Sequence, residues 1–244
     1  MINIVIPMAG AGSRFSKAGY SKPKPFIDVG GKPMIVRVLE NLVYPNARFF
    51  LIARKEHIEA EIELTQQIER DFNATFIPIS NLTEGTACTV LYARKYINND
   101  QPLLIANSDQ IVDLEIAEFI NDFYSRKLDG SILTFIDYKR DPKWSFARLG
   151  ESDLVEEVQE KKAISEFATV GIYLYLRGRD FVNATIDMII HRDQVNREYY
   201  TCPTYNYLIN DQKRIGIFNM PFEAMHGLGT PEDLDAFLLF KKNK

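Results

Sequence analysis

Between residues 8 and 25 the chain reads MAGAGSRFSKAGYSKPKP, and three kinds of residue there can do chemistry together. Gly10, Gly12 and Ser13 can bring backbone N–H groups close to an anion, because small residues leave the main chain uncovered. Arg14 follows at once, and Lys24 stands between Pro23 and Pro25, whose rings stiffen the backbone around it. Arginine's planar fork suits the spread oxygens of a polyphosphate, and lysine acts as a compact point charge. Far along the chain, Asp109 ends the run LLIANSD. A carboxylate there lies at the C-terminal edge of a buried strand, where open α/β sheets take their ligands. One or two carboxylates with phosphate oxygens and water suit a small hard cation. Two plainer readings stand beside these: a solvated basic loop rich in proline, and an aspartate that caps a turn.

Two familiar phosphate loops do not fit. GAGSRFSK lacks the G-x-x-x-x-G-K-[ST] spacing, and Phe15 stands where a dinucleotide fingerprint needs its third small residue. His57, His191 and His226 are widely separated, and neither Cys88 nor Cys202 belongs to a CxxC pair, so zinc and disulfide frameworks are not expected. The net charge of −4 argues against a general nucleic-acid or membrane-surface binder. With 46% hydrophobic and 25% charged residues the composition is that of an ordinary globular protein. Ile2–Met8 is too short for a signal peptide and lacks a basic lead, and no apolar stretch suffices to span a bilayer. The cytoplasm is the expected location.

The elements that must position these residues alternate. INIVIPM, RFFLIAR, ATFIPI and QPLLIANSDQ read as strands, separated by the helical patterns KPMIVRVLENLV, EHIEAEIELTQQIERDF and GTACTVLYARKYI. Such alternation implies a mainly parallel sheet covered on both faces. After Asp129 short strands come close together in GSILTFIDY, SFARL, LVEEVQE and TVGIYLYL, which suggests a mixed sheet. RDFVNATIDMIIHR and REYYTCPTYNYLIND read as helices, RIGIFNM as a strand, and TPEDLDAFLLFKK as a closing helix with Thr230 as its N-cap. Trp144 and the tyrosines of REYYTCPTYNYL suit either an acceptor pocket, a subunit contact or the core.

MAGAGSRF…KPKPFIDVGGKPMI resembles the opening signature of sugar-phosphate nucleotidyltransferases. Further blocks follow in the family's order: TEGTACTV, LLIANSDQIVD, VQEKKAISEFATVGIYLY and HGLGTPEDL. The resemblance implies a Rossmann-like α/β fold of the nucleotidyltransferase and GT-A kind, as one domain over 1–244. A nucleotide-binding part would span about 1–128, an acceptor-binding part about 129–229, and a C-terminal helix 230–244. It implies an enzyme that transfers a nucleoside monophosphate from an NTP to a sugar 1-phosphate or similar phosphomonoester. Pyrophosphate leaves, and the product feeds capsule or other surface-polysaccharide synthesis.

By the same resemblance Arg14, Lys24 and Asp109 are the catalytic residues. Met8, Ala9, Gly10, Ala11, Gly12 and Ser13 line the nucleotide together with Glu84, Gly85 and Thr86. Glu160, Lys161 and Gly171 take the acceptor, and Asp109 ligates Mg2+. The base is open, with a lean to a pyrimidine, and a homo-oligomer is compatible with the pattern. Two positions depart from the family: Lys162 replaces a common proline, and Gly227 stands where many members carry a second metal aspartate, leaving Glu223 or His226 as substitutes. A GT-A glycosyltransferase and a catalytically silent nucleotide-binding module are the alternatives. The first would leave Arg14 and Lys24 without a γ-phosphate to serve.

Overall fold

The computed structural model describes residues 1–242, so the last two positions of the helix expected over 230–244 lie outside the described residues. Eleven strands are described: β1 (Ile2–Pro7), β2 (Ala47–Arg54), β3 (Ala74–Ile79), β4 (Leu103–Ala106), β5 (Gln110–Val112), β6 (Gly130–Ile136), β7 (Ser145–Leu149), β8 (Val155–Glu160), β9 (Phe167–Tyr175), β10 (Ile215–Met220) and β11 (Met225–Gly227). The helices are α1 (Ser13–Lys17), α2 (Met34–Asn41), α3 (Lys55–Ala60), α4 (Ile62–Phe72), α5 (Thr86–Val90), α6 (Arg94–Ile97), α7 (Ile116–Ser125), α8 (Gly178–Ile190), α9 (Thr204–Asn210) and α10 (Pro231–Lys242).

The main sheet runs β10-β6-β9-β4-β1-β2-β3, with β7 added to β9 and β8 to β7. Strands β4, β1, β2 and β3 are mutually parallel, as are β10 and β6. Only β9 runs antiparallel between β4 and β6, and it joins strands from both halves of the chain into one sheet. The mixed, mainly parallel sheet expected from the sequence is what forms. Side chains alternate through it. Ile2, Ile4 and Ile6 of β1 pack with Met34, Val38 and Leu39 of α2 and Phe119 and Phe123 of α7, while Val5 faces α5 and α8 on the opposite side.

Three helical expectations are corrected. The charged run 56–72 breaks at Glu61, since α3 buries no residue while α4 turns Thr65 and Ile68 inward, so the two follow different surfaces. The run 85–97 splits into α5, a 3-10 turn over Leu91–Ala93 and α6. It opens with the β-branched Thr86, Thr89 and Val90, and the Thr83 and Thr89 hydroxyls both donate to the Gly85 carbonyl, competing with helix formation. The last concerns 197–211, which is helical only over Thr204–Asn210. Pro203 disfavours helix before it and serves as the N-cap.

Candidate active site

The site forms where β1 and β4 end. Beyond Pro7 the chain bends through residues 8–12, anchored where the Met8 N–H donates to the Ile52 carbonyl at 2.9 Å. Gly12 has φ of 59°, and a Cβ there would stand 3.2 Å from Lys24 Cβ. A left-handed residue without a side chain therefore lets the Lys24 stem lie against the loop. Phe15, which spoils a dinucleotide fingerprint, is the buried residue of α1 and packs edge-on against Tyr20.

This loop walls a cavity of about 550 Å³. Met8, Ala9, Gly10, Ala11, Gly12, Ser13, Arg14, Lys24, Gly85, Thr86 and Asp109 all line it, as the sequence predicts. Glu84 does not. Its carbonyl accepts from the Tyr199 N–H at 2.7 Å, and its carboxylate accepts from the Gln194 amide at 3.3 Å, so it fixes the wall from outside. Arg14 and Asp109 thus line one cavity. The Lys24 ammonium donates to the Asp109 carboxylate at 2.5 Å. Each charge thus has the other as a partner.

The strand pair β5–β11 carries residues 225–229 to this edge, and the Leu228 N–H donates to the Asp109 carbonyl at 2.7 Å. A Cβ on Gly227 would meet nothing within 4 Å, so the family's missing aspartate leaves open space. Neither proposed substitute fills it. The His226 ring turns to Phe237 and Phe240, and its Nε2 lies 3.3 Å from the Asp113 carboxylate. Glu223 is exposed and, like His226, is not among the cavity's lining residues. A different acid comes close. A Cβ on Gly229 would lie 3.5 Å from Asp109 Oδ2 and 3.6 Å from Asp233 Oδ2, so two carboxylates face the same backbone position. Such a pair suits a hard cation. The sequence hides Asp233 inside TPED, where it also serves the helix cap: its N–H donates to Thr230 Oγ1 at 3.1 Å.

A second cavity, of about 260 Å³, adjoins the first, and Thr86, Asn107 and Tyr200 line both. Glu160, Lys161 and Gly171, the expected acceptor residues, all line it, together with Trp144, Tyr173 and Cys202. Glu160 is 9% exposed and accepts from the Ser145 hydroxyl. Burial pushes its carboxyl above the usual range, against the Ser145 hydrogen bond and the Lys161 charge. Burial likewise pushes the Cys202 thiol well up.

One wall comes from a segment whose tyrosines suited an acceptor pocket among other roles but whose expected conformation was wrong. Residues 198–202 were expected in a helix, yet Glu198 and Tyr200 line the larger cavity and Tyr200, Thr201 and Cys202 the smaller. The Tyr199 backbone presses against Gly85, whose φ is 117°; the Ala87 N–H donates to its carbonyl at 3.0 Å. The available signal was Pro203, whose ring and missing N–H disfavour a helix running unbroken from 197 to 211.

Among the described residues no helix is long and apolar enough to cross a membrane. The solved nucleoside-diphosphate-sugar pyrophosphorylase of Vibrio cholerae RC9 has the same fold, with a TM-score of 0.80 over 97% of this chain and 99% of that one, at 24% identity. Mannose-1-phosphate guanyltransferase of Pichia angusta is 23% identical over 237 residues, 94% of this chain and 61% of that protein. The bifunctional protein GlmU of Methanococcus vannielii is 31% identical over 122 residues, 49% of this chain and 27% of that protein. The chain thus spans less than two thirds of the length of either of these curated relatives. The model of the nucleotidyl transferase family matches residues 4–194, through the glycine loop, Asp109 and the acceptor block, and the chain belongs to that family.

Proposed function

We propose that this protein transfers a nucleoside monophosphate from an NTP to a sugar 1-phosphate or similar phosphomonoester, with release of pyrophosphate. The observation that carries this reading is the pairing of two cavities that share one seam. One holds the glycine loop, Arg14 and the Lys24–Asp109 pair; the other holds Lys161 and a buried acid. Residues to about 128 form the nucleotide side and 129–229 most of the acceptor side. The reaction then belongs in the cytoplasm, where NTPs are made, and supplies an activated sugar of the kind that surface polysaccharides need.

The chemistry asks little of a base. A phosphomonoester has a second pKa of ~6, so it is already mostly dianionic at neutral pH. The difficulty is to bring two polyanions into line, and the enzyme supplies charge and alignment. The N–H groups of the 10–13 loop and the exposed Arg14 guanidinium hold the departing phosphates. Lys24 leaves Asp109 for the α-phosphate, where charge grows during attack. Lys161 takes the acceptor phosphate on the other side of the seam. Asp109, with Asp233 beside it, would hold Mg2+, which when bound neutralises phosphate charge.

The test is pyrophosphate release from each common NTP against a panel of sugar 1-phosphates and other phosphomonoesters. One pairing should proceed far faster than the rest, and Lys24→Gln and Asp109→Asn should each slow it about 10²-fold or more. Thermal stability should barely change, because the pair is partly exposed and such pairs contribute little. Steady incorporation of NMP into no acceptor, or full activity in both variants, would remove the reading.

A further inference from the structure

Lys161 is a long, flexible cation at the end of β8, and nothing in its own strand holds its ammonium. Its backbone is in the left-handed region at φ 55°, an uncommon state for lysine, fixed by its N–H donating to the Trp144 carbonyl at 3.1 Å. The turn throws the side chain towards residues 198–200. There the ammonium donates to the Tyr200 hydroxyl at 2.5 Å and lies 4.5 Å from the ring centroid. The same hydroxyl donates onward to the Glu198 carboxylate.

We propose that Tyr200 is the positioning residue for Lys161, holding its charge at the seam of the two cavities. This rests on the functional reading above and adds a residue to it. Three observations point the same way. Tyr200 lines both cavities, so whatever is bonded to its hydroxyl sits at the boundary that an acceptor phosphate must reach to meet the nucleotide. A direct carboxylate partner would quench the lysine's charge; a neutral phenol between ammonium and Glu198 leaves it available to a phosphate. Glu160, the acid next in sequence, is turned to Ser145 and does not capture it. Burial and Glu198 both keep the phenol protonated, so the relay stays in one form. Lysine has the most rotamer freedom to lose, and prior placement reduces what binding must supply.

Tyr200→Phe keeps the ring and its contact with the ammonium but loses the hydroxyl. Its acceptor KM should rise roughly 10-fold, the size expected for one hydrogen bond to a charged group. The NTP KM and kcat should stay within about twofold and Tm unchanged. Glu198→Gln should move acceptor KM the same way by less. The acceptor is the best phosphomonoester from the panel. Inorganic phosphate, titrated calorimetrically onto enzyme loaded with a hydrolysis-resistant NTP analogue, is the probe that carries only the phosphate, and its affinity should fall in parallel. Combined with Lys161→Ala, Tyr200→Phe should add nothing, because its effect passes through Lys161. A normal acceptor KM in Tyr200→Phe while Lys161→Ala raises it would overturn the proposal and leave the functional reading intact. Equal rises in both substrates' KM, or additive losses in the double variant, would also overturn it. If Lys161→Ala leaves acceptor KM unchanged, both the proposal and the role of Lys161 fall, even with pyrophosphate release intact.

Discussion

Replacing Gly85 by alanine tests whether the close approach of the 198–202 segment builds the site. A Cβ at this position would stand 2.4 Å from the Tyr199 carbonyl oxygen and 2.6 Å from its nitrogen, both backbone atoms that cannot rotate away. At φ 117° a side chain is also intrinsically disfavoured, at roughly 1–2 kcal/mol. To relieve the overlap the segment must retreat by several tenths of an ångström. That stretches the bonds from Tyr199 N–H to Glu84 at 2.7 Å and from Ala87 N–H to Tyr199 at 3.0 Å. Two weakened backbone bonds add about 1–3 kcal/mol. The sum, about 2–5 kcal/mol, corresponds in a chain of this size to a Tm loss of roughly 5–15 °C. Calorimetry on Gly85→Ala measures it, with Gly10→Ala as control: a Cβ there meets nothing within 4 Å, and that variant should melt within about 2 °C of the parent. Acceptor KM should rise in Gly85→Ala as Tyr200 withdraws. A Gly85→Ala protein that melts like the parent would refute the claim that this wall is held by a glycine-only contact.

Two further outcomes are expected. Titration of Mn2+ by electron paramagnetic resonance, with NTP analogue present, should show weaker binding in Asp233→Asn. No change in that variant would exclude Asp233 from the cation site. Glu160→Gln tests burial by its pH dependence. An acid whose folded pKa is raised contributes stability that is full below the unfolded value, near 4.5, and is lost as pH climbs through the folded value. The Tm of Glu160→Gln relative to the parent should therefore rise between pH 4 and pH 7, and a constant or falling difference would contradict it.

Local pattern was enough for the frame. Alternating apolar strands and amphipathic helices specify a doubly covered parallel sheet, because period-2 and period-3.6 burial are readable residue by residue. The glycine loop, Arg14, Lys24 and Asp109 were legible for a related reason: ligands gather where the strands of such a sheet end, and the residue types declare their charge. What escaped was whatever depends on one segment meeting another. The run 197–203 looks helical until Pro203 is considered, and nothing local shows that it closes on Gly85 to wall two cavities. Asp233 reads as a helix-capping acid, and only the β5–β11 pairing carries it towards Asp109. The Lys24–Asp109 and Lys161–Tyr200 contacts join residues 85 and 39 positions apart. Periodicity reports which face of an element is buried, whereas the distance between two polar side chains is set by how finished elements pack.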